Sequence, residues 1–216
     1  MCTRIAMTYP DEAMAQLFGA VPGNDLPEGP RFNICPTNSV AVVTSDGGRR
    51  LRAMRWGFIP AWYKSVSDGP LILNARSETV ADKPAFREAV RQRRCIVPAS
   101  GFYEWSAGPG DTRLPWYFTR ADGAPLALAG LWTRWGDIDS VAVVTGPSGS
   151  NLVDIHNREP VVLEPDDWPL WLGEAGHGAA TLMRPTAAGI LQTHRVGIAV
   201  NSVRASGPQL TDDVVE

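Results

Sequence analysis

The second residue of the chain, Cys2, can carry two nucleophiles at once. Removal of Met1, which the small side chain at position 2 permits, leaves an α-amine and a thiol on adjacent carbons. Their ordinary pKa values of about 8 and about 8.5 leave both partly deprotonated near neutral pH. Such a 1,2-aminothiol can condense with an aldehyde through nitrogen and then add sulfur to the same carbon, closing a thiazolidine ring. Position alone does not establish this chemistry, because a cysteine after the initiator is usually an accident.

Three polar residues elsewhere have the side chains that this reaction needs. Asn74 begins a run of hydrogen-bonding residues after an apolar stretch, Glu104 lies between two aromatic residues, and His156 is one of three histidines. A carboxylate flanked by aromatic rings is partly desolvated, which raises its pKa toward the range useful for acid and base catalysis. Each residue also has a plain structural interpretation, because outward carboxylates on strands and satisfied surface histidines are common.

Arginines and tryptophans near these residues indicate contact with nucleic acid. The chain has 18 arginines and two lysines, and Arg4, Arg76 and Arg158 lie beside the polar segments. The planar guanidinium suits phosphate oxygens, although a GC-rich genome also explains the total. Trp56 and Trp62 could stack on bases, as in single-strand binders, but a place in the core is more common for tryptophan.

Length and composition predict one domain in the cytoplasm. The chain has 216 residues, is 44% hydrophobic and carries a formal charge of −3, so its overall field does not favour nucleic acid. It has no apolar run of about 20 residues and no signal-peptide pattern at its start. Three cysteines outside any cluster indicate reduced thiols and no metal site. We expect a monomer with no metal and no organic cofactor.

Periodicity predicts an α+β protein made mostly of short strands separated by Gly, Pro, Asp and Ser. Residues 211–216 are predicted to be a loose tail. Predicted helices are Asp11–Leu17, Lys83–Gln92, Pro165–Leu172 and Thr186–Leu191, with a turn at Asn151–Ile155. Predicted strands are Val40–Thr44, Leu51–Trp56, Leu71–Asn74, Arg94–Pro98, Gly101–Trp105, Trp116–Thr119, Leu126–Trp132, Val141–Thr145, Pro160–Leu163 and Val196–Asn201.

Taken together and in order, these segments resemble the SRAP family, the SOS-response-associated peptidases, also called abasic-site processing proteins. The resemblance runs along nearly the whole chain, and its motifs are specific as a set. It is carried by Met1-Cys2 with Arg4, Asn33–Thr37, Trp56–Pro60, Asn74–Thr79, Arg94–Pro98, Gly101–Trp105, Ile155-His156 with Arg158 and Pro160, and Val200-Asn201.

The resemblance implies a single domain over residues 1–210, built of barrel-like, mainly antiparallel sheets with a few flanking helices. It implies a sensor and shield of abasic sites in single-stranded DNA, acting in the DNA damage response through a covalent crosslink. Cys2 is the implied crosslinking residue, with Asn74, Arg76, Glu104 and His156 around it.

Roles for these residues follow from the chemistry of an abasic sugar, which opens to an aldehyde. We assign His156 as the acid that opens the ring, Glu104 to proton transfers and Asn74 to orienting the reactants. Arg4, Arg76 and Arg158 are assigned to flanking phosphates. Because an unclosed iminium permits β-elimination, loss of the Cys2 thiol is expected to leave weak lyase activity.

The sequence departs from the family pattern at three positions. Thr3 replaces the usual glycine, Glu159 the usual methionine and Cys35 a common alanine. Thr3 adds a branched side chain where backbone and DNA would come close. Glu159 is expected to weaken DNA binding or to pair with an arginine, and Cys35 to fill core volume.

Two other functions remain open at this stage. One is a cysteine peptidase that uses Cys2 with His156 and Glu104, and that removes Met1 itself. The other is a non-catalytic module that binds single strands through arginines and tryptophans.

Overall fold

Five strands close into a barrel, and every other element is arranged around it. The computed structural model describes residues 2–23, 25–149 and 152–214. The barrel order is β11, β10, β7, β4 and β5, and parallel pairing of β5 with β11 closes it. The strands are β1 Arg4–Met7, β2 Val21–Pro22, β3 Arg31–Ile34, β4 Ser39–Ser45, β5 Arg49–Trp56, β6 Asn74–Arg76, β7 Arg94–Ala99, β8 Gly101–Ala107, β9 Arg113–Arg120, β10 Leu126–Trp135, β11 Ile138–Pro147, β12 Arg158–Pro160 and β13 Leu191–Arg195.

Strands β10 and β11 of the barrel contain continuous buried runs because both of their faces are covered. All residues from 126 to 131 of β10 and from 141 to 146 of β11 are buried. Runs of this kind are typical of strands without a solvent face. Short helices cover the outside: α1 Asp11–Phe18, α2 Ala89–Gln92 and α3 Trp168–Leu172. None of the helices in the described part of the chain is long and apolar enough to cross a membrane.

A second, antiparallel sheet packs beside the barrel in the order β13, β9, β8, β1 and β3. One face contributes Phe102 and Phe118, stacked with ring centroids 4.9 Å apart, to the main core. The other face carries Tyr103, whose hydroxyl donates to the carbonyl of Phe32 at 2.7 Å. Pairing of β1 with β8, with Arg4 opposite Tyr103, places the start of the chain beside Glu104.

The long strand β11 brings distant segments together at one end of the barrel. It pairs in parallel with β6, where Val143 lies opposite Asn74, and in antiparallel with β12, where Pro147 lies opposite Arg158. Two segments more than 80 residues apart in sequence therefore lie on either side of one strand. This arrangement positions the candidate site.

The predicted α+β fold with barrel-like, mainly antiparallel sheets is confirmed, but several predicted elements are wrong. The strand at Val196–Asn201 is a bridge at Val196 followed by a 3₁₀ helix, Ile198–Asn201. Thr186–Leu191 is not helical, because Gly189 has a φ of +86°. Lys83–Gln92 is α-helical only over Ala89–Gln92, with turns before it.

Other predictions differ from the structure at element ends. The strand expected at Leu71–Asn74 lies instead at Asn74–Arg76. The predicted loose tail is wrong for residues 211–214, since Asp213 bridges Val196 and the Val214 amide donates to the Arg195 carbonyl at 3.0 Å. Residues 215 and 216 lie outside the described residues, as do residue 151 of the predicted turn and Met1 of the N-terminal motif.

Candidate functional site

Cys2 is completely buried and its backbone is held from the barrel side. The Nδ2 of Asn74 donates to the Cys2 carbonyl at 2.9 Å. Asn74 begins β6, whose next residue Ala75 is buried, so the asparagine is anchored by a core position. The Oδ1 of Asn74 is buried without a hydrogen bond to any described residue. The amide therefore fixes Cys2 with one atom and retains an acceptor for another group.

Glu104 is a buried carboxylate on β8, only 2% exposed. Its side chain lies on the same face of the strand as that of the core residue Phe102. Burial raises the pKa of Glu104, and the nearby charge of His156 opposes that rise. Burial and, second, the charge of Glu104 raise the pKa of the Cys2 thiol far above its usual range. Glu104 therefore interacts electrostatically with both the Cys2 thiol and the His156 imidazole.

His156 follows the turn at residues 152–155 and precedes β12. Its carbonyl accepts a hydrogen bond from Ser148 Oγ at 2.6 Å. Its Nδ1 lies 3.0 Å from the backbone nitrogen and 3.1 Å from the backbone oxygen of Arg158. The main chain of Arg158 can thus pair with Nδ1 whether or not that nitrogen carries a proton, which orients the ring and directs Nε2 away from β12.

The three predicted phosphate-binding arginines lie in different environments. Arg76 is exposed at the end of β6. Arg4 is partly buried and donates to Val200 O at 2.8 Å and Asn33 Oδ1 at 3.2 Å. Arg158 forms a bidentate ion pair with Glu78, at 2.6 and 2.9 Å, which lowers the pKa of that carboxyl to about 2. A phosphate at Arg158 would therefore compete with Glu78.

The two predicted base-stacking tryptophans are not equivalent. Trp56 is 1% exposed, packs in the main core and donates from Nε1 to Leu73 O at 3.2 Å. The prediction that it contacts bases is wrong, because no face of the ring is accessible. Trp62 is 57% exposed, so its ring can still take that role.

A cleft of about 400 Å³ beside the start of β1 contains residues to which we assigned no role. Trp105 donates from Nε1 to Asn201 Oδ1 at 2.6 Å, and the Arg4 guanidinium lies 6.0 Å from the Trp105 ring centroid. Thr3 and Arg113 complete the lining. Trp105 and Asn201 both belong to motifs that carry the family resemblance, so the sequence indicated each residue separately. Their pairing across 96 residues was not predictable from spacing.

Comparison with known proteins identifies the family. The family model described as SOS response associated peptidase (SRAP) matches residues 1–203. The chain belongs to the SRAP family.

Relatives and a solved structure extend the SRAP match over the full chain. The abasic site processing protein YoqW of Bacillus subtilis strain 168 is 32% identical, over 87% of this chain and 89% of that protein. The abasic site processing protein YedK of Escherichia coli K12 is 31% identical, over 99% and 100%. A crystal structure of a Bacteroides thetaiotaomicron protein, at 22% identity, shares the fold with a TM-score of 0.87 over 99% and 100% of the two chains.

The departures from the SRAP pattern have structural outcomes. Glu159 is 2% exposed, and its carboxylate accepts from the backbone N–H of Gly149 at 2.9 Å and of Thr186 at 2.6 Å. The expectation that it pairs with an arginine is therefore wrong, and its effect on DNA binding stays a prediction. Cys35 is buried, as predicted for a core-filling residue. Thr3 lines the cleft beside Arg4.

Among residues 2–23, 25–149 and 152–214, no group of three or more His, Cys, Asp and Glu side chains is placed to hold a metal ion.

Proposed function

We propose that this SRAP protein captures abasic sites in single-stranded DNA by forming a thiazolidine between the sugar aldehyde and Cys2, after Met1 is removed. The observation that carries the proposal is the hydrogen bond that holds the Cys2 backbone on Asn74, next to a buried carboxylate and an imidazole that interact with each other. The names of the relatives YoqW and YedK support abasic sites as the substrate class.

Ring opening of the abasic sugar is the first step. His156 in its imidazolium form donates the Nε2 proton to the ring oxygen, and its Nδ1–H donates to the Arg158 carbonyl, 3.1 Å away. The carboxylate of Glu104 takes the proton of the C1′ hydroxyl. The products are an open-chain aldehyde, a neutral imidazole and a protonated Glu104.

Condensation with the α-amine is the second step. The neutral amine of Cys2 attacks C1′, and the resulting carbinolamine loses its hydroxyl as water with the proton that Glu104 now carries. An iminium ion and an ionised Glu104 remain. Burial raises the pKa of Glu104 above its ordinary value, which makes it a better proton donor and acceptor pair for this step than an exposed glutamate. The Oδ1 of Asn74 can accept a hydrogen bond from the amine.

Closure by sulfur is the last step. The thiol adds to the iminium carbon, its proton passes to the neutral imidazole of His156, and the ring nitrogen becomes a secondary amine. Aldehyde and aminothiol are thus converted to thiazolidine and one water. Closure competes with β-elimination of the 3′ phosphate, which would break the strand.

The buried thiol favours this order of events over peptidase chemistry. A cysteine peptidase attacks with a thiolate, whereas burial and Glu104 raise the pKa of the Cys2 thiol and keep it protonated. In the proposed sequence nitrogen attacks first, so the thiol needs to lose its proton only when it meets an iminium.

One gel experiment separates the candidate functions. Protein whose mass shows loss of Met1 is mixed with an abasic single-stranded oligonucleotide and, in parallel, with a test polypeptide. The proposal predicts a DNA adduct that survives heat and SDS. Proteolysis of the polypeptide without an adduct would support a peptidase, and salt-sensitive binding without an adduct would support a non-catalytic module; either result contradicts the proposal.

Trp62 and Trp56 form a matched pair for testing where DNA bases bind. Trp62→Ala is expected to weaken binding of single-stranded DNA about tenfold, because stacking on one base contributes about 1–3 kcal/mol. Its thermal unfolding should not change, since the ring is exposed. Trp56→Ala is expected to lower the free energy of unfolding by about 3–5 kcal/mol through loss of core packing. Fluorescence anisotropy measures DNA affinity, and thermal melts measure stability. Weaker DNA binding in a stable Trp56→Ala, or a loss of stability with unchanged DNA affinity in Trp62→Ala, would contradict this assignment.

Glu78 is expected to limit DNA affinity by occupying Arg158. Glu78→Gln should increase affinity about threefold at low salt and steepen the salt dependence by about 0.7 in log units, as expected for one added phosphate contact. Because the pKa of Glu78 is lowered to about 2, its stabilising effect exists above its ordinary value and is lost as pH falls toward 2. The loss of stability at pH 7 should be about 0–1 kcal/mol, since Glu78 is exposed. Unchanged affinity and salt slope would place phosphates elsewhere.

A further inference from the structure

The carboxylate of Glu159 joins two loops. The usual residue at this position in the SRAP pattern is methionine. The two oxygens of Glu159 accept from different segments, Oε2 from Gly149 after β11 and Oε1 from Thr186 before β13. The residue is 2% exposed, so the carboxylate is directed inward and not toward solvent or DNA. A thioether in its place is at most a weak acceptor. The two backbone N–H groups would then lose these bonds.

The Gly149 side of this contact connects directly to His156. Ser148, the residue before Gly149, donates from Oγ to the His156 carbonyl at 2.6 Å, and its N–H donates to the Asn157 carbonyl at 3.1 Å. The N–H of Arg158, the residue before Glu159, lies 3.0 Å from His156 Nδ1. These contacts therefore connect Glu159 to His156 by two routes. One runs through Gly149 and Ser148, and the other through Arg158, the residue between His156 and Glu159 that contacts the imidazole.

The packing at Gly149 shows how tightly these contacts are fitted. A Cβ at that position would lie 2.8 Å from the Thr186 carbonyl oxygen and 3.5 and 3.6 Å from the two Glu159 carboxylate oxygens. The first distance is shorter than any ordinary carbon–oxygen contact. The loop after β11 thus approaches the Thr186 backbone closely enough that only glycine fits without displacement, and the Glu159 carboxylate lies at ordinary van der Waals distance.

We infer that Glu159 is a positioning residue for His156. By bonding to Gly149 and Thr186 it fixes the loop whose Ser148 holds the His156 backbone, and so fixes the direction in which the imidazole delivers its proton. The kinetic consequence rests on the proposed function, because the acid step at His156 belongs to it. The structural consequence, a single ring orientation, does not.

The kinetic test compares Glu159→Met and Glu159→Gln with the wild-type protein in adduct formation under single-turnover conditions. Both variants are expected to slow the rate about tenfold, because small displacements of a reacting group cost this much, while the final adduct yield is unchanged. In a His156→Ala background the same changes should slow the rate less than about twofold, because the group they position is gone. A full tenfold effect in that background would overturn the inference.

A spectroscopic readout avoids DNA altogether. The ¹⁵N chemical shifts of the His156 ring should change in Glu159→Gln, because the contacts of Nδ1 with the Arg158 main chain loosen when the ring orientation is no longer fixed, and should stay unchanged in the surface variant Glu88→Gln. Gly149→Ala, which separates the loops through a different atom, should reproduce both the slowing and the shift change. Wild-type shifts and rates in Glu159→Gln and Gly149→Ala would overturn the inference.

The two proposals fail separately in this design. If the wild-type protein forms no adduct but the His156 shifts change in the Glu159 variants, the proposed function is wrong and the positioning stands. If adduct forms normally and neither the rate nor the His156 chemical shifts change in the Glu159 variants, the positioning inference is wrong and the proposed function stands. If Glu159→Met does not fold, Glu159→Gln and Gly149→Ala decide the outcome.

Discussion

Replacing Cys2 with serine is expected to abolish the heat-stable adduct and to increase strand cleavage at the abasic site. The serine variant keeps the α-amine, because a small residue at position 2 still permits removal of Met1, so an iminium still forms. A hydroxyl is a much weaker nucleophile than sulfur and its ring product reverts readily. The stable adduct should fall at least about 100-fold, in the range seen when an essential nucleophile is lost. The iminium that accumulates then has time for β-elimination.

A denaturing gel with a 5′-labelled abasic oligonucleotide resolves adduct, intact strand and cleaved strand in one lane. Cys35→Ser is the matched control, because that thiol is also buried but lies outside the proposed chemistry. It should form adduct like the wild type. Equal adduct with Cys2→Ser, or no rise in cleavage despite loss of adduct, would show that sulfur does not close a ring at the sugar.

Glu104→Gln is expected to slow adduct formation about 100- to 1000-fold, as is typical when a general acid and base is removed. The wild-type rate should rise with pH as Glu104 ionises. Because burial raises the pKa of this carboxyl above its ordinary value of 4.5, that rise lies at higher pH than for an exposed glutamate. The glutamine variant should lack this part of the pH profile and keep only the dependence that comes from the amine.

The same substitution is expected to stabilise the protein. A carboxyl whose pKa is raised on folding is most favourable to the folded state below its unfolded pKa, and this advantage is lost as pH rises through the folded pKa. Above its folded pKa the buried, ionised Glu104 therefore opposes folding, and the increase in Tm caused by Glu104→Gln should grow as the pH rises from 4. Each kcal/mol gained corresponds to about 2–4 °C for a chain of this size. Glu164→Gln removes a carboxylate that pairs with the buried Arg120 outside the proposed site, and this control should leave the rate unchanged. A faster or unchanged rate in Glu104→Gln would remove Glu104 from the mechanism.

The sequence predicts the elements of this fold better than their partners. The apolar runs of β4, β7, β10 and β11 can be recognised because β-branched and aliphatic residues cluster between turn signals. An equally apolar run at Val196–Asn201 turns into a 3₁₀ helix, since short apolar segments do not distinguish the two. Closure of the barrel depends on parallel pairing between β5 and β11, whose paired residues are 85 positions apart and leave no local signal.

The candidate site shows the same limit at the level of side chains. Residue types and motif order led to Cys2, Asn74, Glu104 and His156, and the structure places Asn74 on the Cys2 backbone and Glu104 within the electrostatic reach of the other two. The partner of each charged group was less predictable. A sequence motif does not show whether an arginine is already paired with a carboxylate. Arg158 is paired with Glu78, 80 residues away.

Glu159 and Trp56 extend this point to burial. A glutamate next to an arginine in sequence suggests a surface ion pair, yet Glu159 is buried in β12, where backbone N–H groups replace a cationic partner. Tryptophan is suited both to cores and to stacking on bases, so its role depends on whether the folded chain buries or exposes its ring. That choice depends on the assembled fold.

Mass spectrometry of the adduct after nuclease and trypsin digestion distinguishes thiazolidine capture at Cys2 from every other attachment. The peptide Cys2–Arg4 is expected to lack Met1, to carry the sugar remnant with loss of one water, and to resist both thiol alkylation and borohydride reduction. An adduct on any other peptide, a retained Met1, or a remnant on Cys2–Arg4 whose thiol can still be alkylated would contradict thiazolidine capture at Cys2.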